Sequence, residues 1–77
     1  MSRVYGGEHV RVTFPCGQWF GGRVQERNGA MTCPLPAMLG TTVRLLPGGT
    51  GQVSYVGGYH IAEPRIGMPI AWEIVKS

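Results

Sequence analysis

The chain has no aspartate, one lysine and no pair of cysteines spaced as a CxxC knuckle, and only 14% of its 77 residues are charged. Each shortage excludes something. Globular domains usually carry about 25% charged residues, so a surface this poor in charge suggests that part of it is covered by a partner. Without a CxxC knuckle the usual zinc framework is missing. The residues with suitable ligand chemistry, His9, Cys16, Cys33 and His60, are spread over the whole chain. No metal or other cofactor is expected. No segment approaches the roughly 18 apolar residues of a membrane-spanning helix, and the opening MSRVYGGEHV has no apolar run like that of a signal peptide. The expectation is a soluble protein of a cytoplasm or a virion, with Cys16 and Cys33 as core thiols; a disulfide between them is the reading for an extracellular setting.

Helical windows are also missing. Thirteen glycines and six prolines interrupt every stretch, and the best candidate, PLPAMLGTT (34–42), has room for one short turn. The periodicity present is that of strands. In EHVRVTF, Val10, Val12 and Phe14 alternate with His9, Arg11 and Thr13, and Pro15 ends the run because it cannot donate to a ladder. Trp19 and Phe20 follow a Cys-Gly-Gln turn. Asn28-Gly29 is a strong type I′ hairpin signal, predicting Arg27 opposite Ala30, Glu26 opposite Met31 and Val24 opposite Cys33. Near the C-terminus, IAWEIV places Ile70, Trp72 and Ile74 on one face.

The glycine-rich segment RLLPGGTGQVSYVGG (44–58) raises the question of phosphate binding. A phosphate loop needs GxxxxGK[ST] between a strand and a helix, and here no lysine follows and the next element reads as a strand. The glycines read instead as a hairpin connection. Closing PGGTG symmetrically pairs Leu45 with Val53, Arg44 with Ser54 and Val43 with Tyr55, with apolar pairs on one face. Residues 59–69 form an irregular connection or a short edge strand. The fold class is therefore all-β, a small antiparallel sandwich or barrel of five to six short strands in a single domain over residues 1–77.

No catalytic constellation emerges. Cysteine–histidine chemistry needs an activated thiol beside a base, and neither cysteine has a recognisable context for it. Glu8, Glu26, Glu63 and Glu73 are equally unremarkable, and a domain this small leaves little room for a cleft of several hundred cubic ångströms. The expectation is a protein without enzymatic activity. The net charge of +3 is spread along the chain; a nucleic-acid footprint clusters its charge on one face, which strands can still achieve for Arg11, Arg23, Arg27 and Arg44. The aromatics Trp19, Phe20, Tyr55, Tyr59 and Trp72 offer base-stacking or interface anchors, and Trp72, in an apolar strand, reads as core. Adjacent Trp19 and Phe20 cannot both face inward on an extended chain.

WFGGRVQERNG resembles the strand–turn pattern of SH3-like barrels. The stretch TVRLLPGGTGQVSYVGG (42–58), a strand, a Pro-Gly-Gly-Thr turn and a strand ending Val-x-Tyr, resembles small β-rich virion proteins of tailed bacteriophages. That resemblance implies a head-decoration or cement component, working as a homo-oligomer through contacts with other protein subunits. The contact residues expected on this reading are Trp19, Phe20, Tyr59, Ile61 and Met68. The alternative is an SH3-like or OB-like binding module that inhibits a host protein or grips nucleic acid through Arg11, Arg23, Arg27 and Arg44.

Overall fold

In the first alternating run, three branched or aromatic side chains share one face, and that face is buried. Val10, Val12 and Phe14 are almost wholly enclosed in the computed structural model, which describes residues 5–58 and 63–75. Val10 and Val12 lie in β1 (His9–Thr13), with Phe14 just past its end, and β1 pairs antiparallel with β2 (Trp19–Arg23). Phe14 N–H donates to the Gln18 carbonyl at 2.8 Å, and Gly17 takes a positive φ of 94° in the turn after Pro15.

Beyond β2 come β3 (Gln25–Arg27), β4 (Ala30–Leu35), a 3-10 turn (Pro36–Met38), β5 (Thr41–Leu46), β6 (Thr50–Tyr55) and β7 (Pro69–Ile74). All pairings are antiparallel in one sheet of order β2-β1-β7-β6-β5-β4-β3. The sheet curls so far that its two ends meet and nearly close a barrel. The count of seven corrects the expected five to six. Its reason is that residues 19–27 run as one strand bent at Val24. The first half pairs with β1, the second with β4. At the bend the Val24 side chain enters the core. Its N–H donates to the Glu8 carbonyl and its carbonyl accepts from Gly7, both at 2.8 Å. Val24 therefore does not pair with Cys33 in the ladder, although Arg27↔Ala30 and Glu26↔Met31 stand as the Asn-Gly turn requires. Asn28 and Gly29 both have positive φ, 51° and 78°.

Closure at the seam is by packing. A Cβ on Gly22 would lie 2.5 Å from Cys33 Sγ and 2.8 Å from the Pro34 carbonyl oxygen, so β2 meets β4 where only glycine fits. Hydrogen bonding across the seam stops, and the sequence says why. The bonds Phe14 N–H to Gln18 and Val24 N–H to Glu8 fix the phase of the β1–β2 ladder. Even-numbered residues of β2 bond to β1, and the main-chain groups of Trp19, Gly21 and Arg23 point the other way. Gln25↔Thr32 and Arg27↔Ala30 continue that outward phase against β4. Two residues further, Arg23 would face Pro34, and two more, Gly21 would face Pro36. Neither proline has an N–H to give, and the ladder ends.

The hairpin β5–β6 differs in register from the symmetric closure expected of it. Val43 pairs with Val53, Arg44 with Gln52, Leu45 with Gly51 and Leu46 with Thr50, with an irregularity at Thr42/Val43. The loop is Pro47-Gly48-Gly49 alone, both glycines at positive φ (90° and 84°). Gly51 belongs to the strand, where a Cβ would sit on the Arg44 carbonyl oxygen. The slip is by two residues, so the side chains of residues 43–46 and 50–53 keep their faces; Tyr55, expected opposite Val43 on the apolar face, pairs instead with Thr42 beyond the irregularity and is exposed. Val43, Leu45, Val53, Ile70 and Trp72 join the β1 residues, Val24, Cys33, Leu35 and Met38 in one core. Trp72 indole N–H donates to the carbonyls of Thr50 at 2.6 Å and Leu46 at 2.9 Å, tying β7 to the hairpin. Among the described residues no helix is long and apolar enough to cross a membrane.

Candidate binding face

The inward valines of β1 oblige His9, Arg11 and Thr13 to point outward, and on β2 the same alternation exposes Trp19, Gly21 and Arg23. The register sets Thr13 beside Trp19, Arg11 beside Gly21 and His9 beside Arg23. From the other side, β7 brings Glu73 opposite Arg11 and Ala71 opposite Thr13.

Trp19 is 59% exposed, a large apolar side chain presented to solvent. The Arg11 guanidinium carbon lies 5.5 Å from its ring centroid, within the range of a cation–π contact. Arg11 Nε also donates to Glu73 Oε1 at 2.8 Å, and its Nη2 engages the same oxygen. Arg11 is thus fixed between a carboxylate and an indole, and Trp19 has one ring face already occupied. Gly21 has no side chain and nothing within 4 Å of where a Cβ would be. The result is a cleft of about 580 Å³, lined by His9, Arg11, Trp19, Gly21, Arg23 and Pro36 among others. It corrects the expectation that the domain has little room for such a cleft: the hollow lies against the outward side chains of β1 and β2, outside the core.

The other expected contact residues fall elsewhere. Phe20 points inward, half-buried, its ring edge-on to Phe14 at 5.8 Å and 83°. Met68 is likewise half-buried against the core, and its carbonyl accepts from Val53 N–H at 2.9 Å. Tyr59 and Ile61 lie outside the described residues, as does His60. Of the four arginines, Arg11 and Arg23 share the Trp19 face. Arg44 projects outward from β5 between Thr32 and Gln52, and Arg27 sits at the end of the β3–β4 hairpin. Tyr55, Leu39 and Ile66 are further exposed apolar side chains.

The two cysteines are both free thiols in opposite settings. Cys16 is exposed on the β1–β2 turn, which corrects its placement in the core; Cys33 is fully buried. Burial pushes the Cys33 thiol from 9.0 up to about 11, so it stays protonated. Among the described residues no three metal-ligating side chains converge.

Gly21, Pro34, Pro36 and Glu73 were not singled out in the sequence. Period-2 alternation was the signal for Gly21, since it falls on the outward phase with Trp19 and Arg23. Glu73 meets Arg11 only through the pairing of the first and last strands, which no local pattern announces. No known family, curated protein or solved structure matches this chain.

Proposed function

We propose that this is a non-enzymatic accessory protein that acts by protein–protein contact, with the Trp19 face as its contact surface. One observation carries this reading: a large, exposed indole is held in a fixed pose by Arg11 and Glu73 beside an open cleft. Rigid, exposed Trp and Arg side chains are the residue types that dominate binding energy at interfaces. The buried Cys33, kept protonated, is no nucleophile. The finer proposal, that the partner is a subunit of a bacteriophage virion and that the protein decorates or cements a capsid as a homo-oligomer, is supported by the likeness of residues 42–58. A cofractionation experiment tests it. The wild-type protein should travel with assembled particles of its source and Trp19→Ala should not. Equal binding of the two would remove Trp19 from the interface, and a protein that ignores every particle would end the virion reading.

A nucleic-acid reading is favoured by one arrangement: His9, Arg11 and Arg23 share a face with an aromatic ring. Against it, Arg11 is neutralised by Glu73, and Arg27 and Arg44 are not gathered there. Two phosphate contacts would give a salt dependence of slope about −2 in log–log form. Light scattering with an absorbance ratio, at low and high salt, checks it: nucleic acid that copurifies and is stripped by salt supports this second reading, and a clean peak rejects it.

A further inference from the structure

The protein-contact reading leaves open what the partner presents, and Gly21 gives an answer. We infer that the hollow over Gly21 receives an aromatic side chain of a partner protein with a carboxylate beside it. This rests on the protein-contact reading and sharpens it.

The first argument is the glycine itself. The strands hold Gly21 and Gly22 in β2 and Gly51 in β6. Packing imposes two of them: a Cβ on Gly22 would lie 2.5 Å from Cys33 Sγ, and one on Gly51 would fall on the Arg44 carbonyl oxygen. Gly21 has no such reason. A Cβ there meets nothing within 4 Å, its φ is not positive, and the bend of its strand is at Val24. Glycine weakens a strand interior, so one that neither the backbone nor the core requires marks a place kept clear for a ligand that approaches the main chain.

The second argument is shape. On the outward face, the neighbours of Gly21 are Trp19 and Arg23 along its own strand and Arg11 across the register. All three carry long side chains, so the missing one leaves a hollow a side chain deep within the cleft of about 580 Å³, with Pro36 as a further wall. The floor is bare main chain, and the walls include an indole and a proline ring. A flat ring from a partner can lie on such a floor, and aromatic side chains are the ones whose burial dominates interface energetics. Arg11, tethered to Glu73, already holds the Trp19 wall in place, so little ordering remains to be done on binding.

The third argument is charge. The cleft is lined by His9, Arg11 and Arg23 and by no acidic residue. Arg11 is taken by Glu73, whereas Arg23 has no ion-pair partner among the described residues. Arg23 is the next outward residue after Gly21, about 7 Å along the strand. A carboxylate on a residue adjacent to the seated ring reaches it.

The test uses three peptides, blocked at both ends, that differ only at two adjacent positions: phenylalanine–glutamate, phenylalanine–lysine and alanine–glutamate. Each is titrated into isotope-labelled protein, and the amide signals of residues 19–23 and the indole N–H signals are followed. The phenylalanine–glutamate peptide should move the signals of Trp19, Gly21 and Arg23 and leave the indole of the buried Trp72 unmoved. The lysine peptide should bind several-fold more weakly, as an exposed ion pair allows, and the alanine peptide about tenfold more weakly. Gly21→Leu fills the hollow and should abolish binding while keeping the wild-type circular dichroism. Gly21→Ala, which adds one methyl, should weaken binding with the fold untouched. Arg23→Glu should reverse the preference between the two phenylalanine peptides. Signals that no peptide moves overturn the proposal, as do equal affinities for all three peptides or wild-type affinity in Gly21→Leu. A wild-type dimer that Gly21→Leu turns into a monomer would make the occupant a second copy, and signals moved by an oligonucleotide but by no peptide would make it nucleic acid; either result overturns the proposal. Particle binding that is lost with Trp19→Ala but kept with Gly21→Leu would overturn the aromatic anchor while leaving the protein-contact reading in place.

Discussion

Thr41 shows how much one side chain organises here. It is fully buried, and its hydroxyl lies 3.0 Å from the Met38 carbonyl and 2.9 Å from the Gly58 carbonyl while accepting from Gly57 N–H at 3.1 Å. It thereby joins the 3-10 turn to the chain leaving β6. Thr41→Val keeps the volume and strands these main-chain groups, so it should cost about 1–3 kcal/mol, read as a lower urea midpoint at unchanged slope. Gly22 and Gly21 make a paired test of the seam. Gly22→Ala puts a methyl against Cys33 Sγ and the Pro34 carbonyl and should cost about 1–3 kcal/mol, whereas Gly21→Ala meets open space and should barely move the melting temperature. Cys33 makes stability depend on pH. Its thiol pKa is raised in the folded state to about 11, so the folded chain holds a proton that the unfolded chain releases near 9.0. Stability from this source is complete below pH 9 and is lost as pH rises to 11. The full loss is about 3 kcal/mol, and it should disappear in Cys33→Ala. Cys16 should react with an alkylating agent in the folded protein and Cys33 only after unfolding.

Among the elements, the hairpin β5–β6 is fastened to β7 from both sides of its loop. Trp72 N–H in the main chain donates to the Gly49 carbonyl at 3.0 Å, and its indole N–H reaches the carbonyls of Leu46 and Thr50. Trp72→Phe keeps an aromatic ring in the core and removes only the indole donor. Amide exchange should accelerate around Leu46 and Thr50, and global stability should fall by about 1–3 kcal/mol. The hairpin was largely legible beforehand, because its alternation fixed which side chains face inward. Its register was not, since Gly51 looks like a turn residue until Ile70 and the Arg44 carbonyl are seen crowding its α-carbon. The bend in residues 19–27 is likewise invisible in the local sequence. A strand that changes partners halfway has no local marker, only the buried Val24 at its bend.

For the molecule as a whole, the Arg11–Glu73 pair joins the first and last strands on an exposed surface. Such pairs stabilise by about 0–1 kcal/mol, so Glu73→Gln should leave the melting temperature within a few degrees of wild type. Its larger effect lies in the field of the binding face. Removing the carboxylate leaves Arg11 unpaired beside Trp19, and any binding of nucleic acid to this face should strengthen, most clearly at low salt where screening is weakest. A melting temperature that collapses in Glu73→Gln would show instead that this pair holds β1 to β7 beyond what their ladder supplies.

The amino-acid sequence by itself determined the all-β class, the inward faces of β1, β5 and β7, the Asn-Gly turn and the exposure of one member of the Trp19–Phe20 pair. All of these follow from period-2 alternation and turn chemistry, which are local. Only the tertiary structure decided which of the two aromatics is outside. Phe20 falls on the same phase as Gly22 and Val24, and Phe14 is there to meet it. It also decided that Arg11 and Arg23 gather on one face while Arg27 and Arg44 lie elsewhere, and that β2 meets β4 by packing without a hydrogen-bonded ladder. Those outcomes depend on pairings between distant strands. The prolines that end the ladder between these strands lie in β4 and the turn that follows it, so their effect on β2 exists only once the sheet has curled round.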